Sequence, residues 1–166
     1  MSIQILVLFE SDEGSRPVVD CLSRAGYFVT VSRHYSAAMT MIQTKPVDLI
    51  ISDVHLENGG CVFDFLSWVR NNPSTKHIPF VLFSLEPTTM AQVLEHGVRI
   101  AARALRASKF ISMQVFDEED FRRQIDSLLS LDSHLKPLKT LKQGESNHDS
   151  EKFGNNGARG AEKSNR

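Results

Sequence analysis

The stretch VDLIISD, from Val47 to Asp53, is a short apolar run that ends on a carboxylate. A Gly-containing segment, VHLENGG from Val54 to Gly60, follows it at once. A continuous run of Leu and Ile is typical of a strand that is buried on both faces in the middle of a parallel sheet. Open α/β sheets bind their ligands at the carboxyl ends of such strands. Asp53 is therefore the first candidate for a functional residue.

On both sides of this stretch, apolar strand patterns alternate with helical ones along the chain. The predicted strands cover residues 3–9, 27–32, 47–53, 78–84 and 109–112. The predicted helices begin at Ser15, about Ser36, after Gly60, near Pro87 and after the capping residue Asp117. This alternation predicts a five-stranded parallel sheet with helices on both faces and right-handed crossovers.

The bulk composition excludes several classes of protein. The chain has 166 residues and a net charge of -1, which lacks the basic character of a nucleic-acid binder. No apolar run approaches the roughly 20 residues of a membrane helix, and the first residues lack the pattern of a signal peptide. Cys21 and Cys61 show no metal or redox spacing, which indicates two reduced thiols in a cytoplasmic protein.

The composition changes near Leu131. Few large apolar residues follow, and after Leu141 Phe153 stands alone among Lys, Gly, Asn, Ser and Glu. Such a segment cannot bury enough apolar surface to offset its ordering entropy. We therefore expect a folded domain over residues 1–130 and a disordered polar tail over residues 131–166.

Residues 3–130 resemble the receiver domain of bacterial two-component response regulators. The resemblance rests on a first strand with an acidic turn, a third strand ending in Asp53 with Leu56 and Gly59 in its turn, and a fourth strand ending in Ser84. It implies a flavodoxin-like (βα)5 fold, doubly wound, with strand order 2-1-3-4-5. It also implies that Asp53 accepts a phosphoryl group from a histidine kinase.

The resemblance implies a metal site beside the phosphoacceptor. The family holds Mg²⁺ on two consecutive acids after the first strand, and matching the spacing places Phe9 at the first position and Glu10 at the second. Glu10, Asp53 and the main-chain carbonyl of His55 would supply three oxygens, which suit Mg²⁺. Because Phe9 replaces a carboxylate, we expect Mg²⁺ binding to be weak or absent.

Three further positions carry over from the family. Ser84 matches the hydroxyl residue that contacts the phosphoryl group, and Phe110 matches the aromatic residue that changes rotamer on activation. Met113 stands where the family has a lysine, and Lys109 lies four residues too early to replace it. Phosphoryl transfer needs positive charge to balance the developing negative charge. The sequence therefore predicts an atypical, degenerate receiver.

The fourth helix departs from the family pattern. The segment from Ser84 to Ala107 is roughly two helical turns longer than in typical receivers, which predicts an extended fourth helix. Arg99, Arg103 and Arg106 recur at helical spacing and are expected on one face. This face is interpreted either as solvated or as a surface for an acidic partner. Since the family docks its partners near this helix, the change suggests a different partner.

The leading hypothesis is a signalling module rather than an enzyme. It would meet a histidine kinase or phosphotransfer protein and a downstream protein partner, and a homodimer is possible. The chain shows no DNA-binding output domain after residue 130, and no nucleic-acid, membrane or small-molecule partner is expected. One alternative is a phosphorylation-independent pseudo-receiver that only docks. A remote alternative, a small flavodoxin-like enzyme or nucleotide binder, lacks a GxGxxG or P-loop motif.

Overall fold

The computed structural model describes residues 2–54 and 60–135, which form one parallel sheet with helices on both sides. Its strands are β1 (Gln4–Leu8), β2 (Phe28–Ser32), β3 (Leu49–Asp53), β4 (Phe80–Leu85) and β5 (Lys109–Met113). All neighbouring strands pair in parallel, in the order β2-β1-β3-β4-β5. This order confirms the predicted flavodoxin-like fold.

Five helices connect and follow the strands. They are α1 (Asp12–Arg24), α2 (Tyr35–Thr44), α3 (Val62–Asn71), α4 (Thr89–Ala104) and α5 (Glu118–Leu135). Two of their ends show local features that favour a helix boundary, of which the cap at Asp117 was predicted. The Asp117 carboxylate accepts a hydrogen bond from the Asp120 N–H at the start of α5. Gly26 follows α1 with φ +86°, a left-handed conformation that glycine adopts without strain.

The central strands are buried because each of their faces meets an apolar layer. Along β3, Leu49 and Ile51 belong to a cluster that includes α1 and α5 residues, whereas Ile50 belongs to a cluster that includes α2 and α3 residues. These β3 side chains are fully buried. Successive side chains of a strand point to opposite faces of the sheet. A strand that is covered on both faces therefore has apolar residues at consecutive positions. The run ends at Asp53, which lies at the carboxyl edge of the sheet.

Helix α1 begins one turn earlier than the sequence predicted. Its cap is Ser11, whose hydroxyl accepts a hydrogen bond from the Gly14 N–H at 3.0 Å, and not Ser15. Ser15 is instead buried inside the helix and donates to the Asp12 carbonyl. The early start places Pro17 within the helix rather than in its first turn. Both serines satisfy the local rule for a cap, so the local sequence does not distinguish them.

Helix α4 has 16 residues and continues through Gly97 without a break. The spacing had predicted that Arg99, Arg103 and Arg106 share one helical face. This prediction is wrong for Arg106, because the helix ends at Ala104. Arg106 lies in the following turn with φ +61°, and the Ala107 N–H closes this turn on the Ala102 carbonyl at 2.8 Å. The turn ends the helical repeat before the third arginine.

Three of the predicted features lie outside the described residues. They are the proposed metal contact at His55, the turn residues Leu56 and Gly59, and nearly all of the segment 131–166, of which the backbone is described to residue 135. Within the described residues, no helix combines the length and the apolar character that spanning a bilayer requires.

Candidate functional site

An open cavity of about 470 Å³ lies at the carboxyl edge of the sheet. It is bounded by the ends of β1, β3 and β4 and by the first turns of α1. The residues that line it are Phe9, Glu10, Ser11, Glu13, Gly14, Pro17, Asp53, Leu85 and Glu86. Parallel strands direct their carboxyl ends to one edge, and this is where the sequence had placed a site.

The cavity is strongly acidic. Glu10 and Asp53, which the sequence predicted to act together, both line it, and Glu13 and Glu86 add two more carboxylates. No lysine or arginine of the described residues lines it. Four carboxylates around one cavity repel one another, and a bound cation would relieve that repulsion. An anionic group would need a cation brought to the cavity to offset this negative charge.

Phe9 forms an apolar wall of the cavity. Its side chain is 3% exposed, and its ring centroid lies 6.0 Å from that of Phe83. The Phe9 main-chain N–H donates to the Ser32 carbonyl at 3.2 Å, which fixes the backbone at this point. The position at which the resemblance expects the first acid of a metal pair therefore has a phenyl ring that is part of the core.

The strand end that carries Asp53 is held by short-range contacts. The Ser52 hydroxyl donates to the Asp53 main-chain carbonyl at 3.1 Å, and the Val54 N–H donates to the Phe83 carbonyl at 3.0 Å. Nearby, the Tyr35 hydroxyl is buried and makes no hydrogen bond within the described part of the chain. Burial raises the pKa of Tyr35 to about 12; the nearby Ser52 hydroxyl acts in the opposite direction, and the negative charge of Asp53 adds to the rise.

Ser84 lies beside Asp53 in the sheet but does not line the cavity. Strand register pairs Asp53 with Phe83, so that Ser84 is one residue further along β4, and its side chain is 2% exposed. The register also pairs Ser84 with Ser112 on β5. Ser84 is thus a buried residue near the carboxyl end of β4, the strand between β3 and β5.

Phe110 and Met113 lie at opposite ends of β5. Phe110 is half-buried near the amino end, with the guanidinium carbon of Arg99 4.8 Å from its ring centroid. Met113 is 8% exposed at the carboxyl end, and its main-chain carbonyl accepts a hydrogen bond from the Glu86 N–H at 2.8 Å. Lys109 starts β5 and is therefore at the far edge of the sheet from the acidic cavity, as its sequence position indicated.

The described residues match the donor set of a Mg²⁺ site only in part. Glu10 and Asp53 line the same cavity, as Mg²⁺ ligation would require. However, no group of three or more Asp, Glu, His or Cys side chains within residues 2–54 and 60–135 is arranged to hold a metal ion. This side-chain arrangement fits two carboxylate ligands and leaves the remaining positions to water or to main-chain oxygens.

Sequence reasoning missed two residues near this site. Glu86 follows β4 and reaches the cavity with φ +49°, a left-handed conformation that is unusual outside glycine. Its position directly after a strand was the signal that could have identified it, as it did for Asp53. Tyr35 gave no such signal, because only the packing of α2 against the sheet brings it near Asp53.

Comparison with known proteins gives a consistent result at the level of structure. No protein-family model and no curated protein sequence matches the chain. Several solved structures share its fold. The chemotaxis response regulator CheY4 of Vibrio cholerae has a TM-score of 0.64 and 22% identity, over 77% of this chain and 99% of that one.

Two other structures extend the comparison. The signal receiver domain of a signal transduction histidine kinase from Syntrophus aciditrophicus has a TM-score of 0.65 and 19% identity, over 87% of this chain and 100% of that one. NtrX from Brucella abortus has a TM-score of 0.70 and 17% identity, over 89% of this chain and 31% of that longer one. The chain therefore has the fold of the response-regulator receiver domains.

Proposed function

We propose that this chain is a receiver-like signalling module in which Asp53 is the phosphoacceptor. The observation that carries the proposal is the position of Asp53, which ends the central strand β3 and lines an open acidic cavity together with Glu10. The carboxylate is accessible from solvent through this cavity, so that a phosphoryl donor can approach it. The receiver fold supports the same role by analogy.

The phosphorylation that we propose is slow compared with that of a complete site. A phosphoryl group transferred to Asp53 brings negative charge into a cavity that already has three other carboxylates. Within the described residues, no cationic side chain lines the cavity to balance that charge. Mg²⁺ held weakly by Glu10 and Asp53, with His55 as a further candidate, would supply charge balance when bound.

The output of the module is protein docking. A histidine kinase or phosphotransfer protein would supply the phosphoryl group, and a downstream protein would recognise the domain. We place this exchange in the cytoplasm, where the two free thiols, Cys21 and Cys61, stay reduced. The role proposed for the chain is thus signalling rather than catalysis of a metabolic reaction.

A second candidate function is a docking domain that works without phosphorylation. It is favoured by the burial of Phe9 and Met113 in the apolar cluster between the sheet, α1 and α5. These are the two positions at which the resemblance expects a carboxylate and a lysine. A domain without either group retains the fold and the partner surfaces but has a weakened phosphorylation site.

Nuclear magnetic resonance of the full chain distinguishes the two candidates. Amide shifts are followed during titration with Mg²⁺ and then with beryllofluoride, which mimics a phosphoryl group on a carboxylate. Asp53→Asn is the control for the site, and Glu13→Gln removes one charge from the same cavity but leaves the proposed acceptor in place. Incubation with phosphoramidate, followed by mass spectrometry, measures phosphorylation directly.

A working phosphoacceptor gives saturable shifts at Glu10, Asp53 and Ser84, together with a single phosphoryl adduct. Both signals should be lost in Asp53→Asn and retained in Glu13→Gln. A wild-type chain without adduct and without beryllofluoride shifts at millimolar Mg²⁺ would refute the proposed phosphorylation. The phosphorylation-independent docking function would then be the better account.

A further inference from the structure

A second cavity, of about 240 Å³, lies at the other edge of the sheet, between the last turns of α4 and the start of β5. The cationic residues Arg99, Arg103 and Lys109 line it, together with Ser108 and the aromatic ring of Phe110. It is separate from the acidic cavity, because β5 begins at Lys109 and reaches the carboxyl edge at Met113. The charged side chains that line this second cavity are positive, whereas those that line the acidic cavity are negative.

Two acids lie near these cations. Glu95 forms a salt bridge with Arg99, and Asp120 is close enough to Lys109 for their charges to interact. Asp120 is itself engaged by Arg123 at 2.6 Å. Neither Arg103 nor Lys109 forms a salt bridge within the described residues. With Glu95 offsetting one of the three cations, two positive charges remain, which match a dianion.

Arg99 is held in a fixed orientation. Its Nε and Nη2 atoms donate to Glu95 Oε1 at 2.9 and 2.6 Å, and its guanidinium lies over the Phe110 ring. The second Glu95 oxygen accepts from the Ser112 hydroxyl at 3.3 Å, which ties the pair to β5. A guanidinium has five N–H donors, so that several remain for a ligand. Because the Arg99 side chain is already ordered, it loses less conformational entropy when a ligand binds.

The end of α4 does not explain this concentration of cations. Basic residues often neutralise the exposed carbonyls in the last turn of a helix. Here the N–H groups of Leu105, Arg106 and Ala107 already donate to carbonyls of that turn, at 3.0, 3.0 and 2.8 Å. The Arg103 side chain is therefore not needed to satisfy them, and Lys109 lies beyond the helix. Both are available to a ligand in the cavity.

We propose that this cavity is an anion site that binds a phosphate monoester dianion. Arg99, Arg103 and Lys109 supply charge-assisted hydrogen bonds, which are the stronger kind. The Ser108 Oγ accepts from the Phe80 N–H at 3.0 Å, which orients the hydroxyl and leaves its own hydrogen for an anion. The phosphate comes either from a free phosphate compound or from a phosphorylated segment of a protein partner. The site does not depend on phosphorylation of Asp53.

The test uses the full chain and two ligands at constant ionic strength. Inorganic phosphate represents the free form, and a short phosphoserine peptide represents the protein-borne form. Amide shifts at Ala102 and Ala107–Phe110 report on the site. Arg103→Gln/Lys109→Gln removes two cations from the cavity, and Lys45→Gln/Lys76→Gln removes two exposed cations elsewhere, so that net charge is matched.

We expect saturable shifts at these residues with at least one of the two ligands, and the tighter ligand identifies the source of the phosphate. The cavity variant should weaken binding by about tenfold or more, whereas the control variant should bind as the wild type does. Circular dichroism checks that both variants are folded. Shifts that do not saturate, or that weaken equally in the two variants, would overturn the proposal, since they indicate general charge screening.

Discussion

Phe9 and Met113 are buried in the same apolar cluster, although they come from the ends of β1 and β5. The cluster also contains Phe83 and Phe121, whose ring centroids are 5.3 Å apart. The resemblance to receivers expects a carboxylate at the first position and an ammonium at the second. This chain has two apolar groups in one packed region where the resemblance expects two opposite charges, and such an apolar pair is often neutral or stabilising for a fold compared with a buried ion pair.

The charges should therefore be tolerated better together than singly. Phe9→Asp alone should lower the free energy of unfolding by about 3–5 kcal/mol, because it removes a buried ring and introduces a charge. Met113→Lys alone should lower it by about 2–5 kcal/mol. In the double variant the loss should be smaller than the sum by about 1 kcal/mol or more. Urea unfolding of the four proteins measures this coupling, and additive losses would contradict it.

Ser11 should contribute to stability as the cap of α1. Ser11→Ala removes the acceptor for the Gly14 N–H, and we expect a loss of about 1 kcal/mol in the free energy of unfolding. Ser11→Asp should retain most of the stability because a carboxylate also caps. Ser2→Ala, in the segment before β1, is the control for an exposed serine. Equal stability of Ser11→Ala and this control, in thermal or urea unfolding, would show that the cap is not formed.

The stability of the fold should be sensitive to substitution of Arg70, because its guanidinium donates hydrogen bonds to main-chain carbonyls of separate segments. It donates to the carbonyls of Ile78 at 2.8 Å, Arg106 at 2.9 Å and Lys76 at 3.2 Å. Burial lowers the pKa of Arg70, and the charge of Arg106 acts in the same direction. Arg70→Ala should destabilise the fold by about 1–2 kcal/mol, since three main-chain carbonyls, of which only that of Ile78 is in a part-buried bond, lose a charged donor.

The matched comparisons for Arg70 are a lysine at the same site and an alanine elsewhere. Arg70→Lys should recover only part of the stability, because an ammonium lacks the planar fork that reaches carbonyls on two sides. Arg16→Ala, an exposed arginine on α1, should change the free energy of unfolding by less than about 0.5 kcal/mol. If the two alanine variants unfold at the same urea concentration, the guanidinium does not stabilise these segments.

The two tyrosines should resist ionisation in the folded protein. Burial, and then the hydrogen bond donated to Asp126, raise the pKa of Tyr27 to about 12, while Tyr35 has a pKa of about 12 for the reasons given above. In the unfolded chain both phenols titrate near 10.0. Because the folded pKa values are raised, the stability that they contribute is complete below pH 10 and is lost as the pH rises from about 10 to about 12.

Near-ultraviolet absorbance of tyrosinate measures this titration. We expect little ionisation at pH 10.5 in the native protein and nearly complete ionisation above about pH 12, or at the pH of alkaline unfolding. Tyr27→Phe and Tyr35→Phe assign the two transitions. A native phenol that titrates near pH 10 would show that the corresponding hydroxyl is in contact with water.

The architecture and the main candidate residue follow from local patterns in the amino-acid sequence. Buried strands read as continuous apolar runs and helices as repeats of about 3.6 residues, and both signals arise from near neighbours along the chain. For this reason the five strands, the cap at Asp117 and the place of Asp53 at the end of β3 were all predicted. A strand-end carboxylate is located by its own segment, and no distant contact is needed to find it.

The contacts between these segments are known only from the tertiary structure. Ser11 and Ser15 both satisfy the local rule for a cap, and only the structure shows that Ser11 caps α1 while Ser15 is buried within the helix. The addition of Glu86 to the acidic cavity, and the three-cation cavity beside Phe110, depend on strand order and on the turn after α4. The residues around the acidic cavity, from Phe9 to Glu86, are far apart in sequence, and the pairing of parallel strands brings them together. The cations of the second cavity all lie within residues 99–109, and the turn after α4 places them side by side. Strand pairing and the path of a turn are properties of the folded chain, which no single segment specifies.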